Sequence, residues 1–291
     1  MSIQKWLLSL STGAFVSILA GPAFADCPQL PSWYQLQGAV ANVVAKGGNG
    51  GLGFNMWATL VANDGTVCAV AFSGNAYTDQ WLGSRVISAQ KANTANAFSL
   101  GKGSTPASSA FGTNGLALST ANLFTAVQPG GSLYGLQHSN PVDPGLAYGD
   151  GNPANFQGGP ISALTFGTQN DPMVGLRIGG VNVFGGGLAL YQNGNKVGGL
   201  GVSGETSCTD HMVAWRVRNA LRLDSFNGVP GVSGDSARPD NIVFDIFPNG
   251  DGTGGTGQSP TGTGGVGQST GGFGHPKCLN NPNPASLPTV H

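Results

Sequence analysis

The sequence predicts an α+β protein: an antiparallel sheet with helices packed on it. Three observations carry this. Two apolar, β-branched stretches are each folded about an Asp-Gly or Asn-Gly centre, at Asp64-Gly65 and Asn193-Gly194, and such pairs supply the positive φ that a tight hairpin turn needs. Each hairpin is flanked by segments with helical periodicity. The order is therefore helix, hairpin, helix, irregular insert, hairpin, helix, which is a layered arrangement of sheet and helices.

The elements follow in order. Residues 1–25 carry one early cation, Lys5, then an apolar run and "PAFA". That is the pattern of an export signal cut after Ala25, with an apolar run too short and too interrupted for a stable membrane anchor. Residues 31–46, "PSWYQLQGAVANVVAK", set Trp33, Leu36, Val40 and Val43 on one helical face after a Pro31-Ser32 start, and "GGNGGLG" stops the helix. The first hairpin is "FNMWATLVANDGTVCAVAFSG". The next helix, opened by Thr78-Asp79, runs through "QWLGSRVISAQKANTANAFSL" with Trp81, Val86, Ala89, Ala92 and Ala97 as its stripe and a polar, solvated outer face.

Regular patterning fades over a long loop insertion at about 101–160. It holds a short helix at "LSTANLFTAV", a strand at "SLYGLQH" and a loop from Ser139 to Pro160. The second hairpin, "GGGLALYQNGNKVGGLGVSG", leads into the helix "TDHMVAWRVRNALRL", with Met212, Val213, Trp215, Val217 and Leu221 inward and Arg216, Arg218 and Arg222 outward. "DNIVFDIF" alternates like a half-buried strand. The domain is thus 26–248, and 249–291 is a Gly/Thr-rich flexible tail with little to bury.

Composition narrows the function classes. Twelve basic against 13 acidic residues leave no basic stripe to hold phosphates, so nucleic acid is excluded as the expected partner. No CxxC or CxxCH occurs, which argues against zinc ribbons, thioredoxin chemistry and covalently attached c-type haem. Four cysteines, Cys27, Cys68, Cys208 and Cys278, suit two disulfides in an exported chain. If the first helix runs back along the first strand, its start lies near Cys68. A second hairpin beside the first then puts Cys208 at the far end, beyond the ~7 Å Cα limit of a bridge to Cys68. The expected pairing is Cys27–Cys68 and Cys208–Cys278.

The stretches "ATLVANDGTVCAVAFSG", "SAQKANTANAF" and "GGGLALYQNGNKVGGLGVSGETSCTDHMVA", in this order over roughly 32–224, resemble the HbpS/GlcG-like family, also called the PduO C-terminal-domain type. The resemblance implies a profilin-like fold with α/β/α layers, a homo-oligomer and, as in several exported members, haem binding, sometimes with haem degradation. This chain departs from the family pattern in "FSGNAYTDQ" after the hairpin, in the length of the insertion, and in Gly186-Gly187-Leu188-Ala189, which lacks the usual proline.

Candidate site residues centre on the last hairpin–helix corner. Gly198, Gly199, Gly201 and Gly204 allow close approach to the backbone. Amides at the start of the 209–223 helix, capped by Ser207 or Thr209, offer a place for a carboxylate such as a haem propionate. Tight packing at the corner, with Asp210 favouring its own helix start, explains the same residues. Ser203 in "GVSGE" lacks the second glycine of a nucleophile elbow. His211 and His138 are the candidate axial ligands, with Met56, Met173, Met212, Tyr77, Tyr134 and Tyr148 as further options. Lys91 can pair with a propionate or with Asp79. His275 and His291 fall in the tail as bystanders, and four scattered histidines show no metal-ligand spacing. The expectation is an exported haem-binding protein of periplasmic or secreted location whose cofactor contacts are His211, Asp210, Ser203, Gly204, Lys91 and His138. The alternatives are a structural or interaction protein without cofactor, and an enzyme degrading haem or acting on a small organic acid.

Overall fold

The computed structural model describes residues 27–129, 131–149, 162–247, 257–258, 272–280 and 282–291. The expected export signal, residues 150–161 of the insertion and most of 248–271 lie outside the described residues.

Its centre is a four-stranded antiparallel sheet in the order β2-β1-β4-β3, built from β1 (Trp57–Ala62), β2 (Val67–Phe72), β3 (Gly187–Gln192) and β4 (Asn195–Ser203). Both hairpins turn where expected. At the second, Asn193 and Gly194 have φ of 51° and 81°, the pair of positive values that a type I′ turn requires.

Helices cover both faces, as the α/β/α reading requires. One face, bearing Ala58, Leu60, Leu188, Leu190, Leu200 and Val202, packs against α1 (Trp33–Lys46) and α6 (Ser207–Ala220). Helix α1 opens with a reciprocal cap between Ser32 and Gln35 and buries Leu36, Val40 and Val43. The other face, bearing Trp57 and Val61, packs against Val86, Ala89 and Ala92 of α2 (Ser84–Ala97).

The bare strand β4 finds its explanation here. A Cβ on Gly201 would lie 1.9 Å from the Ser88 carbonyl oxygen, and one on Gly199 would lie 2.2 Å from that of Ala92. Neither has a positive φ, so these glycines serve space rather than conformation. The molecule lying against this part of the main chain is helix α2 itself.

Helix α2 differs from expectation at both ends and on its outside. It starts at Ser84, and Trp81 stands half-exposed in the preceding turn. Asp79 receives the amides of Asn75 and Ala76 instead of capping the helix. Its outer face is buried, because part of the insertion, around Val142 and Ala147, and the segment between the insertion and β3 fold across it. Met173 and Ile178 pack there, Asn93 donates to the Gly180 carbonyl at 2.8 Å, and Arg85 forms a buried ion pair with Asp171. Within the insertion, α3 (Thr120–Val127) is as expected, but "SLYGLQH" makes turns and the short helix α4 (Leu136–Ser139), not a strand, and α5 (Pro144–Tyr148) interrupts the long loop.

Two further corrections concern the C-terminal third. Arg218 points inward and pairs with Asp240, both fully buried, the guanidinium also lying over Trp215 and Phe226. The described residues of the glycine-rich tail pack on the domain. Strand β7 (His275–Pro276) runs parallel to β5 (Phe244–Phe247), which also pairs with β6 (Gly257–Gln258). Leu287 is buried, and Trp215 donates to the Pro288 carbonyl at 2.9 Å. Composition missed this because a few apolar anchors and one disulfide do the tying. The disulfides are Cys27–Cys68 and Cys208–Cys278, the pairing expected.

Candidate functional site

Three of the sequence-selected residues meet between α2 and the end of β4. Lys91 is fully buried, and its Nζ donates to Asp210 Oδ2 at 2.6 Å, to the Val202 carbonyl at 3.1 Å and to Ser203 Oγ at 3.2 Å. An ammonium has three donors, and all are used. Its partner is Asp210, not Asp79. Burial pushes the Asp210 carboxyl up to about 6, with the Lys91 charge opposing, and burial likewise drives the Lys91 ammonium below its ordinary value.

The amides that a guest carboxylate would have sought are taken by the chain's own carboxylates. Asp210 Oδ1 accepts from the Glu205 amide at 3.0 Å. Glu205 accepts from the amides of Leu52, Gly53 and Thr206, bending the "GGNGGLG" loop over the start of α6. The cap of α6 is Thr206, rather than Ser207 or Thr209. Gly204 packs against the backbone of Asn55 and Met56. The cavity beside Glu205 and Thr209 is only about 100 Å³. This corner does not fit a haem.

His211 is fully buried on α6. Its Nε2 accepts from the Ile242 amide at 3.1 Å, its Nδ1 has no hydrogen-bond partner among the described residues, and burial lowers its pKa to about 3. His138 stands exposed on α4. Met56, Met173 and Met212 are in the core, while Tyr134 and Tyr148 are largely exposed. The structure therefore brings Lys91, Ser203 and Asp210 together, with His211 next in the helix, and leaves His138 apart.

Two histidines set aside by the sequence reading are instead held in place. Ser207 Oγ lies 2.7 Å from His275 Nε2, and burial lowers the His275 pKa to about 4. His291 Nδ1 lies 2.6 Å from Asp224 Oδ1, the carboxylate being buried and the imidazole partly exposed. Asn219 donates to the other Asp224 oxygen at 2.8 Å. His291 lines a cavity of about 500 Å³ with Phe226, Val229, Pro230, Pro239 and Val290. That volume is within the usual ~300–1,000 Å³ of ligand pockets. Asn227, Asp235 and Ser236 also line the cavity, and the imidazole whose Nδ1 is held by a carboxylate keeps Nε2 as the ring nitrogen that a haem iron would take. Asp224 directly after the periodic helix was the one sequence sign, but its partner lies 67 residues on.

No family model matches the sequence, and no curated protein matches it. Solved structures do. Protein ORFY of Klebsiella pneumoniae, of a DUF336 family, is 21% identical over 65% of this chain and 86% of its own, with a TM-score of 0.38. A PduOC:haem complex is 23% identical over 64% and 89%, at 0.38, and HbpS is 13% identical over 76% and 98%, at 0.36. These neighbours are of the family that the hairpin and closing motifs resemble.

Proposed function

We propose that this chain is an exported protein that binds haem, or a similarly flat and amphipathic cofactor, in the cavity beside His291. The observation that carries this reading is the carboxylate-held imidazole at a mostly apolar cavity of about 500 Å³. In this reading bound haem supplies a ferric or ferrous iron with an open coordination position. His291 would hold the iron. Asp224 would fix the ring orientation, as carboxylate partners of metal-ligating histidines do. Phe226, Val229, Pro230, Pro239 and Val290, which line the cavity, would lie against the porphyrin and exclude water. Lys91, Ser203, Gly204, Asp210 and His211 support the site from a distance as structure, and His138 takes no part.

Export is supported by the 1–25 pattern and by two disulfides, which persist in oxidising compartments. Among the described residues no helix is long and apolar enough to cross a membrane. Self-association belongs to the same proposal. Phe54 and Trp81 stack edge to face at 5.3 Å, both exposed, with Leu52 and Leu82 exposed beside them in sequence.

Haemin titrated into the purified protein is expected to give a saturable, shifted Soret band that His291→Ala abolishes while His211→Ala and His138→Ala retain it. A band unchanged in His291→Ala overturns the ligand. No band in any variant overturns the haem reading and favours an interaction protein. Decay of the band with ascorbate or peroxide adds haem degradation.

A further inference from the structure

We propose that Cys208, Cys278 and His275 form, once their disulfide is reduced, a site for one soft divalent metal ion such as Zn²⁺. Cys208 Sγ, Cys278 Sγ and a ring nitrogen of His275 all lie within 4.8 Å of one another. This site shares no residue with the haem reading.

The geometry needs little change. Zinc–sulfur bonds of ~2.3 Å and zinc–nitrogen bonds of ~2.0–2.1 Å at tetrahedral angles place sulfur and nitrogen roughly 3.6 Å apart and the two sulfurs roughly 3.8 Å apart. Cys208 Sγ already lies 3.8 Å from His275 Nδ1. Once the bond is reduced, rotation of the two cysteine side chains lets the sulfurs separate. Two of the three ligands are held by structure other than the bridge. Cys208 is in the first turn of α6, and His275 is tied by its backbone amide to the Val243 carbonyl at 2.8 Å.

The surroundings suit thiolate and neutral imidazole. The Cys208 amide donates to Cys278 Sγ at 3.3 Å, at a helix N-terminus that favours negative charge on sulfur. His275 Nε2 is engaged by Ser207 Oγ, the outer contact that orients a metal-ligating histidine. Nδ1 now lies 2.6 Å from the Pro276 carbonyl. On metal binding the ring proton moves to Nε2 and is donated to Ser207 Oγ. Two thiolates and one divalent ion sum to no net charge, so this buried site carries no charge penalty.

The chemistry balances with a thiol reductant. Its two thiols break the Cys208–Cys278 bond, the two cysteines gain two electrons and two protons, and the reductant leaves as its own disulfide. Metal binding then releases both cysteine protons to solvent. A fourth position is left to water.

The test is a Co²⁺ titration of the full chain, reduced with dithiothreitol and desalted without oxygen. One equivalent is expected to give a sulfur-to-cobalt charge-transfer band that Zn²⁺ removes, with no band in the oxidised protein. Cys208→Ser is expected to abolish the band, and His275→Ala to weaken binding about tenfold or more, since an outer partner alone is worth ~10–100-fold. A Cys27→Ser/Cys68→Ser variant, which keeps only the proposed ligands, is expected to bind like the parent. The proposal is overturned by equal binding before and after reduction, by a band that survives Cys208→Ser, by no effect of His275→Ala, or by far-UV circular dichroism showing that the reduced protein with cobalt has lost its fold.

Discussion

Gly201 of β4 and Ser88 of α2 touch main chain to main chain: a Cβ on the glycine would fall 1.9 Å from the serine carbonyl oxygen. Helix and strand can close to this distance because α2 presents small residues here, with Ser88 also donating to, or accepting from, Thr59 Oγ1 at 2.7 Å. The side-chain-poor corner is thus an internal packing device.

Gly201→Ala should accordingly destabilise by about 1–3 kcal/mol or more, the range for overpacking, because the obstacle is backbone that cannot step aside. Gly38→Ala is the control. Nothing lies within 4 Å of a Cβ there, and the position is interior to α1, so a gain of about 0.5–1 kcal/mol is expected. Urea midpoints of the two variants, moving in opposite directions, check both.

Acid should weaken the fold between pH 6.5 and 5. His211 and His275 have folded pKa values of about 3 and about 4 against 6.5 unfolded. The unfolded chain therefore binds more protons in this window, and stability falls with pH by about 2 kcal/mol per histidine. Asp210 works with the opposite sign, its pKa being raised from 3.8 to about 6, and so offsets part of the loss as pH drops below 6. Denaturant midpoints that do not fall from pH 7 to 5 would refute this balance.

The Arg218–Asp240 pair should show the asymmetry of buried charges. Asp240→Ala strands a fully buried guanidinium and is expected to cost about 3–5 kcal/mol. Replacing both, as Arg218→Met/Asp240→Leu, should recover most of that. Thermal unfolding of the single and double variants measures it, and equal losses in both would deny that the stranded charge is the cause.

Asp224→Asn tests the orientation of His291. Loss of the carboxylate should weaken haemin binding by about 10–100-fold without removing it, while His291→Ala removes it. An unchanged haemin Kd in Asp224→Asn would mean that the carboxylate serves the fold alone.

The layered sheet and both hairpins were legible because each rests on local chemistry, in period-2 and period-3.6 patterns and turns that need positive φ at Asn193-Gly194, and the disulfide pairing followed from the layout these imply. The outer face of α2 was not. Asn93 and Thr94 are polar and spaced as on a solvated face, and the segment just before β3 buries them at Gly180 and Asn182, while Lys91 is covered by the end of β4 and by Asp210. The same holds for Arg218, whose partner Asp240 belongs to a loop that periodicity does not place. At the site, Lys91, Ser203 and Asp210 were selected together from neighbouring motifs and do meet. His275 and His291 were passed over because low-complexity sequence around 249–271 hides the anchors that follow it.

The strap formed by residues 272–280 and 282–291 also sets a timetable. Cys278 closes onto Cys208, Leu287 fills the layer beneath α6, and His291 meets Asp224, so α6 is completed by contacts from a stretch that is synthesised well after it. Until it emerges, Trp215 and its neighbours lack their cover. The last helix therefore stays without its cover until the second cysteine of a pair 70 positions apart has been made.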